Sequence, residues 1–182
     1  MKRSVLILAI TFALCACKKD SPVSEKEFRP TDVIVVTKSG FDLEQVFDFI
    51  NSFDHEVERL WSATFVSKLP SDSLSYVLKN LSAKPYLTNP TFSRVSGYLH
   101  YQTKEIHVFP FFFNIHNKSD QQDWIETAKL FELELRELGD NGFVILFHVP
   151  AGQEKLWVER FSANDIVRVS ELNYIADIYP TW

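Results

Sequence analysis

Beyond Cys17 the chain contains no cysteine, and that limits how residues 18–182 can hold a shape. No internal disulfide, thiolate metal cluster or catalytic thiol can form there. Stability has to come from burial of apolar side chains. The material is ample, since 46% of residues are hydrophobic and 16 are Phe. A stretch of about 150 residues past a leader is long enough for one such core.

The apolar residues follow two periods. Asp32-Val33-Ile34-Val35-Val36-Thr37 is a β-branched run and predicts a strand. Ser39-Gly40 turns the chain, and Asp42 can cap a helix carrying Leu43, Val46, Phe47 and Ile50 on one face. Residues 54–60 fit either a longer helix or a new strand. Trp61 to Ser67 reads as a strand ended by Pro70, and Ser71 can cap a second helix with Leu74, Val77, Leu78 and Leu81. Leu99, Tyr101, Ile106 and Val108 alternate across a two-residue turn at Thr103-Lys104, which predicts a hairpin. Pro110 then suggests an edge or a bulge. A long helix starts at Ser119 or Asp120, buries Trp124, Ala128, Phe131, Leu135 and Leu138, and stops at Gly139-Asp140-Asn141-Gly142. Phe143 to Val149 is a continuous apolar run of the interior-strand kind. Pro150 ends it, Glu154 to Phe161 forms a short helix, and Ile166 to Ile175 a last strand.

These elements predict a single α+β domain, with a mostly antiparallel or mixed sheet and helices packed on one face. A spacing of 80 residues places Phe65-Val66 on Ile145-Leu146, Pro70 on Pro150, and Val77, Leu78 and Leu81 on Trp157, Val158 and Phe161. One residue of slip places Leu43, Phe47 and Ile50 on Trp124, Ala128 and Phe131. Read as duplication, this gives two βαβ halves, 31–90 and 91–182, sharing one sheet. That layering resembles paired ferredoxin-like modules; chance alignment of helical stripes is the alternative. Such a fold hosts many unrelated functions.

The front of the chain has its own logic. Lys2 and Arg3 precede the apolar run Val5 to Leu14, which is shorter than the roughly 20 residues that span a bilayer. Leu14-Cys15-Ala16-Cys17 resembles the lipobox of bacterial lipoproteins. The resemblance implies a signal peptide over 1–16, thioether-linked diacylglycerol on Cys17, and palmitate-class acylation of the freed amine. Cys15 fits less well as the target because Leu14 would be bulky at −1. Lys18 in place of Asp after the Cys implies the outer membrane, facing either the periplasm or the outside. Residues 17–30 are polar and Pro-terminated, as suits a lipidated tether, leaving 31–182 as the globular domain.

Charge and glycine usage narrow the partners. The chain carries 19 basic and 24 acidic residues, a net charge of −5. An acidic domain repels phosphate backbones, so nucleic acid is not expected. With five glycines and neither G-x-G-x-x-G nor a P-loop, no nucleotide and no other cofactor is expected.

Three groups of residues are candidates for a site. His100 and His107 would face each other across the hairpin as two surface imidazoles beside Glu105. Two histidines are fewer protein ligands than zinc normally takes. Phe109, Phe111 and Phe113 offer aromatic area for a partner, although a sheet buried on both faces with a bulge accounts for them better. Trp157 ends a segment from Pro150 that lies at a strand end, where α/β crevices form. Glu154 in that segment fits a helix-dipole role, and Glu126, Glu132, Glu134 and Glu137 a solvated helix face. No nucleophile elbow or H-E-x-x-H occurs in the sequence. The expectation is a non-enzymatic envelope lipoprotein, held to the membrane by the acyl chains on Cys17, that binds a protein or other ligand. The alternatives are an envelope hydrolase with a site assembled from scattered residues, and a structural accessory subunit of an envelope complex.

Overall fold

The computed structural model describes residues 26–61, 63–88, 95–111, 113–136 and 142–175. The expected leader 1–16, the lipid-attachment candidate Cys17, Phe112, Glu137, Leu138 and the expected helix stop at 139–141 lie outside the described residues. The elements run β1 (Phe28–Thr37), α1 (Leu43–Asn51), β2 (Glu56–Trp61), β3 (Phe65–Ser67), α2 (Leu74–Leu81), β4 (Val95–Leu99), β5 (Ile106–Pro110), α3 (Lys118–Leu130), β6 (Leu133–Leu135), β7 (Val144–His148), α4 (Glu154–Ser162) and β8 (Val167–Tyr174). β1 begins at Phe28, inside the span expected as tether, because Phe28 pairs with Tyr174 of β8.

The class is α+β, but the strands form two sheets and not one. The first has the order β2-β7-β1-β8 and the second β4-β5-β3-β6, each four-stranded and antiparallel throughout. In each, two βαβ units interlock so that each unit's strands are separated by one strand of the other. This is the split βαβ arrangement of ferredoxin-like modules. The second module is contiguous, β3-α2-β4 followed by β5-α3-β6. The first is divided around it, with β1-α1-β2 before and β7-α4-β8 after.

Advancing each strand number by four, cyclically, converts one sheet order into the other. The spacing of 80 therefore superposes topologically equivalent elements, β3 on β7 and α2 on α4, and the slipped match puts α1 on α3. The break between halves falls in the β4–β5 hairpin. A cut at 90/91 would sever β3 and α2 from β4.

Two further expectations change for local reasons. Trp61 to Ser67 is not one strand. Trp61 pairs with Val144 in the first sheet, whereas Phe65 pairs with Val108 and Leu135 in the second. The long helix ends at Leu130, and the chain reverses at Glu132 with a φ of 49°. There β3 takes the terminal carbonyls: Ser67 Oγ donates to Phe131 O at 2.6 Å and Lys68 N–H to Glu132 O at 3.1 Å. Leu133–Leu135, expected inside the helix because Leu135 continues its stripe, becomes β6 instead.

Helix starts follow side-chain capping. Asp42 accepts from Gln45 N–H and Gln45 returns the bond to Asp42 N–H, both at 2.9 Å, closing a capping box on α1. Asn117 caps α3 slightly ahead of the expected Ser119 or Asp120, accepting from Asp120 N–H at 2.9 Å. α2 is entered through a 3-10 turn at Ser71–Ser73 without a side-chain cap bond. β7 lies inside its sheet, as its apolar run predicts. Pro110 closes β5, which is interior and not an edge, opposite Val95.

The core is heavily aromatic. Phe147 stacks on Phe161 at 4.5 Å, and Trp124 meets both Phe65 and Phe113 at 4.8 Å. α2 lies close on β4 because Gly97 has no side chain. A Cβ there would stand 2.6 Å from the His107 carbonyl oxygen and 2.9 Å from Leu78 Cδ2. No helix among the described residues is long and apolar enough to cross a membrane.

Candidate functional site

The histidine pair lies on the β4–β5 hairpin, two residues out of the expected register. Leu99 pairs with Ile106 and Tyr98 with His107. The loop is closed by His100 N–H to Glu105 O at 2.8 Å and Lys104 N–H to His100 O at 2.9 Å. Lys104 takes the left-handed turn position, with φ 60°. A slip of two preserves which face each residue occupies, so the imidazoles still meet. They stack, with ring centroids 5.3 Å apart, and Tyr98 also stacks on His107 at 5.1 Å.

His107 is 3% exposed, a buried group and not the surface residue expected. Arg136 Nη1 is 3.5 Å from its Nδ1, and its Nε2 stands 3.9 Å from Glu105 with no hydrogen-bond partner. Burial pushes its pKa down, the Arg136 and His100 charges add to that, and Glu105 opposes them. The neutral form of the imidazole is favoured. Among the described residues no three His, Cys, Asp or Glu side chains are grouped to hold a metal ion.

The aromatic candidates separate. Phe113 is fully buried against Phe65 and Trp124, so it is a core residue and not a contact surface. Phe109 is half-buried and stacks on Tyr98 at 5.5 Å. Phe111 is 59% exposed. Trp157 packs half-buried among Phe53, His55 and Phe161, with the Arg160 guanidinium 4.6 Å over its ring. Glu154 is buried and accepts Thr31 N–H at 2.9 Å and Gly152 N–H at 3.0 Å. Its carboxylate ties the start of β1 to the start of α4. Glu126, Glu132 and Glu134 are exposed, although only Glu126 is on the helix.

Two features were not nominated by sequence. One is a polar chain across the first sheet. Asn173 Nδ2 donates to Asp32 at 2.8 Å, Asp32 lies 3.1 Å from His148 Nδ1, and His148 Nε2 is 3.5 Å from Glu58. The other is an open groove of about 600 Å³ where the two modules meet. Its floor is Leu43, Phe47, Phe65, Trp124, Leu133 and Leu135, and its rim carries Asp42, Glu44, Glu132 and Glu134 with Lys68 and Lys129. Lys68 pairs with Glu134 across this rim.

The groove runs along β6, the outermost strand of the second sheet. Arg136 N–H reaches Thr64 O at 2.8 Å, and Lys68 N–H reaches Glu132 O. Hydrogen bonding alternates along an antiparallel ladder. Glu132, Glu134 and Arg136 therefore turn their backbone groups to β3. Leu133 and Leu135 turn theirs to the opposite side, where no described strand pairs with them. Leu133 and Leu135, whose outer backbone groups have no strand partner among the described residues, thus also line the apolar groove.

No protein-family description matches this chain, and no curated protein or solved structure matches it.

Proposed function

We propose that this protein is a binding module held at the bacterial cell envelope by lipid on Cys17, and that the groove along β6 is where it meets a partner protein. The observation that carries the reading is the groove itself, an apolar floor with a charged rim, the usual composition of a recognition site. The lipobox-like Leu14 to Cys17 and the apolar leader support the membrane tether.

The test uses the full chain in its own envelope. Cys17→Ser is expected to move the protein from the membrane to the soluble fraction; complete retention of the unacylated product would end the anchor reading. A photo-reactive group at Lys129, on the groove rim, is expected to give one discrete crosslinked species. A smear no different from that given by the same group at an exposed residue that does not line the groove, such as Lys26, would end the groove reading.

A hydrolytic alternative has one observation in its favour, the Asp32–His148 contact, which resembles the orienting half of an acid–base pair. Against it, His148 Nε2 already faces Glu58.

A further inference from the structure

The near-equivalence of the two modules shows what covers the edge of β6 in its counterpart. β6 corresponds to β2, the outermost strand of the first sheet. There the outer edge is not bare. Residues 113–116, from the connection between β5 and α3, lie along it. Leu60 N–H donates to Phe113 O at 3.0 Å, and Val57 N–H donates to His116 Nδ1 at 3.4 Å. Phe113 and Ile115, two positions apart, are 0% and 1% exposed. A segment with alternate apolar side chains thus covers the edge of β2, through one backbone bond and one bond to an imidazole, and joins the core.

The equivalent connection beside β6 links β1 to α1. It runs over 38–42, whereas its counterpart runs over 111–117, so it is two residues shorter. Asp42 at its end and Leu43, which opens α1, line the groove, but among the described residues no pair of side chains takes the place that Phe113 and Ile115 occupy at β2. The groove lies where that segment would lie.

Resting on the binding-module reading above, we infer that the groove takes an extended strand of a partner protein, paired to the outer edge of β6. Its apolar side chains at alternate positions would fill the floor between Phe47, Trp124 and Leu135. Leu133 and Leu135 supply the backbone bonds, as in other cases of strand addition to a sheet edge. The rim has four carboxylates against two ammonium groups, Lys68 and Lys129, so the strand carries basic residues at its flanks.

The probe is a labelled peptide, Lys-Phe-Asn-Ile-Lys, which copies the spacing of Phe113 and Ile115. Added to the full chain in detergent, it is expected to give a saturable rise in fluorescence anisotropy. Two versions methylated on alternate backbone nitrogens discriminate the mode. Methylation in one register is expected to weaken binding at least tenfold and in the other to change it little. A version with Phe and Ile adjacent is expected to bind at least tenfold more weakly. Equal binding of all versions, or none at millimolar peptide, would overturn strand pairing. So would a concentration-dependent dimer of the protein that excludes the peptide, since a second copy would then be the occupant. A discrete envelope crosslink at Lys129 that excess peptide leaves unchanged would also overturn it, while leaving the binding-module reading intact.

Discussion

Glu154 is 4% exposed and serves as an anchor point between β1 and α4. The N–H of Thr31, with help from Gly152, holds its carboxyl below the usual value of 4.5, against the opposing effect of burial. A depressed carboxylate stabilises the fold fully above its unfolded pKa and loses that contribution as pH falls through its folded pKa. Glu154→Gln is therefore expected to cost roughly 1–3 kcal/mol near neutral pH, as for other charged hydrogen bonds. Urea titrations should show the gap to the parent narrowing at acidic pH; a gap independent of pH would remove the charge from the explanation. The dipole-complementing position of this residue was readable from sequence, because helix starts favour acids. Its bond to Thr31, across 123 residues of chain, was not. The burial of His107 was equally hidden, since it depends on Tyr98, His100 and Arg136 closing around one ring.

Secondary elements were legible wherever one period dominated. β1, α1, α2, β7 and α4 stand close to where their apolar spacing puts them. β6 was not legible, because Leu135 extends the stripe of Trp124, Ala128 and Phe131, although Leu133 and Leu135 also alternate as a strand does. Only the left-handed residue between them and the helix separates the two readings. Glu132→Gly should relieve that conformation and raise stability by roughly 0.5–1 kcal/mol, read as a higher thermal midpoint. An unchanged or lower midpoint would show that Glu132 is not strained. Gly97→Ala should act in the opposite sense. Its methyl group has to displace both the His107 carbonyl of β5 and Leu78 of α2, and overpacking of this kind costs roughly 1–3 kcal/mol. A denaturation midpoint equal to the parent's would mean that β5 and α2 both give way freely around β4.

Over the whole molecule, burial lowers the pKa of both His55 and His107. Asp54 opposes the shift at His55 and Arg160 adds to it. Histidines with folded pKa values below the unfolded value near 6.5 bind more protons when unfolded. Their stabilisation is complete above that pH and falls away below it. The urea midpoint should therefore fall between about pH 7.5 and pH 5.5, and His107→Gln should flatten the fall; an identical slope in the variant would show that His107 does not titrate on unfolding. The partition of strands between two sheets was invisible to the sequence pattern. The spacing of 80 residues matched equivalent elements, but exchanging equivalent βαβ units leaves every apolar position apolar. The groove was hidden for the same reason. Leu43, Phe47, Trp124 and Leu135 look like ordinary core stripes until two modules are brought together with one connection shorter than its twin.

The nesting of one module inside the other sets an order of events as the chain emerges N-terminus first. β3 through β6 are contiguous, so the inner sheet can close as soon as its own residues have emerged. β1 and β2 are not neighbours in the finished sheet; β7 inserts between them and arrives more than eighty residues after β2. Until then the earliest strands carry unsatisfied edges and an uncovered apolar side. A nascent chain halted before β7 would present its own sticky margins to other chains, and holding factors would be needed most during that interval.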